Sequence, residues 1–253
     1  GEQILVALIP AFGLAAFSLF TPLISIILVM LLIISLSYRD VISTYTRAGG
    51  AYVVARENFG QGISLVAAIE LMFGYIITVA IQSAAGVAAI ISAIPELSSY
   101  KVQMVLLVIA LLTYINLRGV KDAGVIFVIP SYLFIVSMLV VFGFGIWRFL
   151  NGTLPKYATD TPGLLPLGEE QGLITFAAIL MILKAFANGS ASLTGLEAVS
   201  DSVPLFKSPE HLNARRTFTI MATSLGLLVM GIGWLAYHTL AIPYQEGTPT
   251  VIS

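Results

Sequence analysis

Long apolar runs separated by short polar stretches dominate the chain. A helix that crosses a bilayer needs about 20 mostly apolar residues. The first run, Ile4 to Ala16, is shorter than that and predicts a partial span over about residues 3–18. Full-length runs follow at about 19–38, 63–94, 102–117 and 125–149. A sixth run, 173–199, is interrupted by small and polar residues, and a seventh covers 218–242. The pattern predicts an all-α, polytopic transmembrane bundle, with residues 1–253 as a single, incomplete transmembrane domain. Pro22 and Pro130 do not defeat these helices, because neighbouring helices, hydroxyl side chains and water can satisfy the freed backbone groups. A β-barrel is excluded, because its strands would alternate apolar and polar residues and these runs do not.

Composition agrees with this pattern. Hydrophobic residues make up 58% and charged residues 10%, against roughly 25% charged in an ordinary soluble domain. The same excess excludes intrinsic disorder, which needs low hydrophobicity and high charge. A net charge of -1 gives no basic field for nucleic acid. With no cysteine there is no disulfide framework and no thiolate metal site. The charges that remain set an orientation. Eight of the twelve Lys and Arg residues fall in alternate loops: Arg39, Arg47, Arg56, Arg118, Lys121, Lys207, Arg215 and Arg216. By the positive-inside rule these loops, including the one after the second run, are cytoplasmic. The chain begins without Met, has no basic region ahead of its first apolar run, and stops abruptly at Ser253. Both ends are expected to be cuts through a longer chain.

The interrupted sixth run carries the densest chemistry. From Ala187 to Gly195 the only large apolar side chain is Leu193, and Asn188, Gly189, Ser190, Ser192, Thr194 and Gly195 all weaken a helix. Unwound backbone at membrane depth survives only where it is buried in protein or lines a cavity. Such discontinuous helices build the substrate and ion sites of secondary transporters. Close helix packing through small residues explains the same composition equally well. In the third run Tyr75, Thr78 and Gln82 are spaced by three and four, so they share a helix face that can ligate a cation or hold a polar solute. Interhelical hydrogen bonding is the competing explanation. Three ionisable residues lie at membrane depth: Glu70, Lys184 and Glu197. Such groups are coupling or gating candidates by default. Glu70 and Lys184 are deep enough to pair across helices. Glu197 fits an inner gate better than a coupling role. His211 and His238 show no metal-ligand spacing, and no nucleophile is arranged with a base, so neither a metal site nor an enzyme is expected.

Several segments together resemble the amino acid–polyamine–organocation (APC) superfamily, and within it the KimA-type potassium/proton symporters. They are Ser37-Tyr38-Arg39, Gly49 through Gly60, Tyr75 through Ala80, Asn116 through Lys121, Ala191 through Ser200, and Asn213 through Thr217. The resemblance implies a LeuT-like fold, partial here, from the end of helix 1 through helix 7. The first helix of each inverted repeat would be broken at the midplane. It also implies that Tyr75 and Thr78 match helix 3 site positions and that Thr194 matches the helix 6 hydroxyl. Gln82 stands where that pattern has Ser, and Gly74 where it often has Asp. The reading is a secondary active transporter in a bacterial plasma membrane, coupled to H+ or Na+, without a cofactor. It would take up an amino acid or potassium. Its partners would be the lipid bilayer and a small-molecule or cation substrate, with a homodimer allowed and no nucleic acid. The alternative is a non-transporting membrane protein, a sensor or an assembly subunit.

Overall fold

The computed structural model describes residues 2–159, 161–168 and 175–250, and for 120–125 the backbone alone. Its helices are α1 (Glu2–Phe12), α2 (Ala16–Thr44), α3 (Gly50–Phe59), α4 (Gln61–Ala93), α5 (Lys101–Leu117), α6 (Val120–Leu150), α7 (Phe176–Ser190), α8 (Glu197–Asp201) and α9 (Glu210–Thr239). Short 3-10 turns occupy Gly13–Ala15, Pro95–Tyr100, Ala191–Leu193 and Val203–Leu205. Among the described residues the only β pairing is an isolated antiparallel bridge between Leu164 and Tyr244. Among the described residues six segments are long and apolar enough to cross a membrane; α1 and α2 together form the first of them, Glu2–Thr44. The protein is an integral, multi-pass membrane protein.

The boundaries follow from local chemistry. The apolar run of α4 continues for 33 residues without Pro or an internal charge other than Glu70. Hydroxyls inside the long helices bond back to the preceding turn, as Thr113 Oγ1 does to the Ile109 carbonyl and Ser131 Oγ to Phe127, both within 2.8 Å. This removes a polar group that lipid could not satisfy. Large apolar side chains such as Leu107, Leu117, Leu133 and Ile129 are exposed on α5 and α6. In a soluble protein such a continuous apolar surface would be a liability, whereas a bilayer covers it.

The chain divides into two compact units. The first comprises Gly1–Thr21, Val79–Ala185 and Gly231–Ser253. Its core is α1, where Ile4, Leu5, Leu8, Ile9 and Phe12 are almost wholly buried. The stretch before α7 is laid along the residues that follow α9. Tyr157 N–H donates to the Thr239 carbonyl at 2.9 Å, Leu165 N–H to Pro243 at 2.9 Å, and Gln245 N–H to Gly163 at 3.0 Å. Where α6 meets the end of α9, Phe149, Trp234 and His238 stack with ring centroids 4.6–5.0 Å apart.

The second unit comprises Pro22–Thr78 and Phe186–Met230. Here α2 packs on α9. Tyr38 meets Phe218 with ring centroids 5.9 Å apart, and Gly226 lets the Leu31 side chain approach to 3.2 Å of where a Cβ would stand. Small residues permit this close approach, which matters in lipid because packing rather than hydrophobicity drives helix association there. Side chains brace the short helix α3 across one of its turns and tie its last turn to Tyr45. Arg56 donates to the Tyr52 hydroxyl at 2.7 Å, and Asn58 donates to the Tyr45 hydroxyl at 3.0 Å.

Candidate substrate-binding site

Helix α7 stops at Ser190. One 3-10 turn, Ala191–Leu193, follows, and Thr194 is extended (φ −64°, ψ 147°). Gly195 then adopts φ +92°, a conformation that a residue with a Cβ enters only with strain, and α8 starts at Glu197. The chain breaks where helix-weakening residues cluster, and the break gives their polar groups local partners. Ser192 Oγ donates to the Gly189 carbonyl at 2.7 Å, and Thr194 Oγ1 to the Ala191 carbonyl at 2.8 Å. The Gly195 N–H donates to the Glu197 carboxylate at 3.1 Å. Ser190 Oγ is buried with no hydrogen-bond partner.

Beyond the break lies a polar cluster in the same unit. The Tyr75 hydroxyl on α4 donates to Asp201 Oδ2 at the end of α8. Glu197 and Tyr38 lie within electrostatic reach of Tyr75. The Asp201 carbonyl accepts from Gly49 N–H at 3.3 Å. Gly50 (φ +36°) packs so closely that a Cβ there would overlap Asp201 Oδ1 and come within 2.9 Å of Ser200 Oγ. The Gly49–Gly50 turn is thus the seat of the Asp201 carboxylate.

The sequence-predicted residues are distributed as follows. Tyr75, Thr78, Asn188, Gly189, Ser190, Thr194 and Glu197 belong to the second unit, together with Glu70. Tyr75 and Thr78 are half-buried one turn apart, Gly189 is buried, and Thr194 is exposed. Gln82 belongs to the first unit, where it lines a groove between α4 and α5 with Ser83, Val87, Val108 and Leu112. The expected line of three residues is therefore gathered within one unit for Tyr75 and Thr78 alone. Glu70 and Lys184 are both exposed and lie in different units, so neither unit by itself contains the pair. Asp201 and Tyr38 were not singled out by spacing. The signal for Asp201 was present, since Glu197 and Asp201 are four apart and share a helical face. Among the described residues no group of three or more His, Asp or Glu is placed to hold a metal ion.

A family model described as amino acid permease matches residues 1–247. The chain belongs to the amino acid permease family. It is also 38% identical over 247 residues to the potassium transporter KimA of Bacillus subtilis (strain 168). That alignment covers 98% of this chain and 39% of the relative, so the chain spans well under half the length of the curated protein it matches. Membership in the amino acid permease family carries the LeuT-like fold. In such permeases polar groups at an interrupted helix face the transport pathway. This permease chain presents that interruption at 191–196, with Tyr75 tied to its far side through Asp201.

Proposed function

We propose that the chain forms part of a secondary active transporter that moves a monovalent cation, potassium first, with H+ or Na+ as coupling ion. One observation carries the choice of cation over amino acid: three of the site hydroxyls, those of Tyr75, Ser192 and Thr194, have already spent their protons, and Ser190 Oγ alone among the hydroxyls at the break has no partner. Tyr75, Ser192 and Thr194 each donate to a protein oxygen, so towards a ligand they offer lone pairs only. A hydroxyl has one proton and two acceptor sites, and a cation needs only the latter. An amino acid would need donors for its carboxylate, which related folds take from the N–H groups at a half-helix start. Here the Gly195 N–H is occupied by Glu197, whose own charge repels an anion. The identity to a protein named as a potassium transporter supports the same choice.

By the distribution of Lys and Arg, the loop holding Arg39, Arg47 and Arg56 faces the cytoplasm of a bacterial cell. Glu197 fits an inner gate beside the break. The reading involves no covalent catalysis, only alternating exposure of one site. The test is uptake of potassium, rubidium and labelled amino acids into proteoliposomes containing the full-length protein, with and without a proton gradient. Saturable cation uptake that Thr194→Val weakens supports the site. Normal cation uptake in both Thr78→Val and Thr194→Val removes it.

A further inference from the structure

We propose that Asp201 is a positioning residue of the cation site, holding the Tyr75 hydroxyl so that its oxygen meets the cation as an acceptor. This rests on the cation reading above and adds a residue and a role to it. An ionised carboxylate has no proton to give, so in the Tyr75–Asp201 hydrogen bond the tyrosine is the donor. Its O–H is thereby aimed at Asp201, and the free lone pairs of the phenol oxygen are left for a ligand. A bond to a charged acceptor also draws electron density towards that oxygen. Asp201 is itself held from two further sides. Its backbone carbonyl accepts from Gly49 N–H, and Gly50 closes over Oδ1, which is buried and has no hydrogen-bond partner. Neither carboxylate oxygen is free to turn away without displacing the Gly49–Gly50 turn. The result is a chain of restraint from the start of α3, through Asp201, to a site hydroxyl on α4. Ser200, next to Asp201, is almost fully buried and spends its proton on the Glu197 carbonyl at 2.7 Å, so it does not compete for Asp201.

The proposal is tested on the full-length protein in proteoliposomes with potassium and rubidium as probes. In Asp201→Asn the amide NH2 can donate to the Tyr75 oxygen and turn its proton outward. KM for potassium should rise about tenfold with Vmax within about twofold, the scale of one charged hydrogen bond. Tyr75→Phe should raise KM similarly, and the double variant should be no worse than Tyr75→Phe, because both changes remove one device. Gly50→Ala, which pushes the carboxylate off its seat, should reproduce the Asp201→Asn phenotype. Because Asp201→Asn can also lower the yield of folded protein, affinity is measured in parallel on the monodisperse fraction, as potassium-dependent thermal stabilisation in detergent. An unchanged potassium affinity in Asp201→Asn overturns the proposal, as does full additivity with Tyr75→Phe. Thr194→Val separates this from the site itself. If Thr194→Val raises KM and Asp201→Asn does not, the site stands and the role of Asp201 falls. If the protein saturably takes up an amino acid and no cation, the site reading and the acceptor role fall together.

Discussion

Two stretches of the second unit contribute to the candidate site in opposite ways. On α4, Tyr75 and Thr78 sit on an unbroken helix whose backbone is satisfied internally, so only side chains are on offer. Between Ser190 and Glu197 the helix is interrupted, and backbone and hydroxyl groups must find new partners. Ser192, Thr194 and Gly195 find them within three residues, whereas Ser190 Oγ finds none. A break does not by itself supply donors. It can consume them, and what remains exposed is oxygen. The same outcome is reached on α4 by a different route, since the Tyr75 proton goes to a carboxylate 126 residues away in sequence.

The contrast between the unbroken helix and the break depends most on Gly195. Gly195→Val places a β-branched residue at φ +92°, with strain of about 2 kcal/mol. Its thermal midpoint in detergent should fall by several degrees, and cation uptake should be lost because the turn into α8 is displaced. A Gly195→Val protein that is as stable and active as the parent would mean that the break is not needed. Next in size, Thr194→Val removes an acceptor while keeping the shape, and should raise KM for potassium about tenfold with little change in Vmax. Thr78→Val probes the unbroken helix in the same way. A clearly larger loss there than in Thr194→Val would show that α4, rather than the break, dominates binding. Gln82→Ala should change KM by less than about twofold, because Gln82 lines the α4–α5 groove of the other unit. Smallest of all, Glu70→Gln replaces an exposed side chain and should shift stability by less than about 0.5 kcal/mol. A strong transport defect in Glu70→Gln would make it a coupling residue after all.

Much of this was legible in the residues themselves. The all-helical membrane class was readable from the apolar runs, since a bilayer demands about 20 apolar residues per span. Helix ends were less so: α2 runs on to Thr44, α6 starts at Val120, and the helix over the run at 218–242 starts earlier still. The corresponding helix begins at Glu210, because polar residues such as Asn213 and Arg215 also form helix once a packed neighbour supports them. An interruption was also readable over 187–195, because Asn, Gly, Ser and Thr cluster there and propensity acts locally, but the helix runs on through Asn188, Gly189 and Ser190 and breaks only after Ser190. Periodicity likewise put Tyr75, Thr78 and Gln82 on one face, but it could not tell which packing unit each would join.

From sequence alone, then, come the membrane class, the all-helical architecture, the family resemblance and the place of the break. Each depends on length, composition or local propensity, which neighbours in the chain already determine. Only the tertiary structure decided that Tyr75 meets Asp201, that Gly50 leaves no room beside that carboxylate, and that Ser192 and Thr194 keep no hydroxyl proton for a ligand. Those outcomes depend on which groups meet across long separations and on the direction of each hydrogen bond, and a periodic pattern along one chain does not encode either.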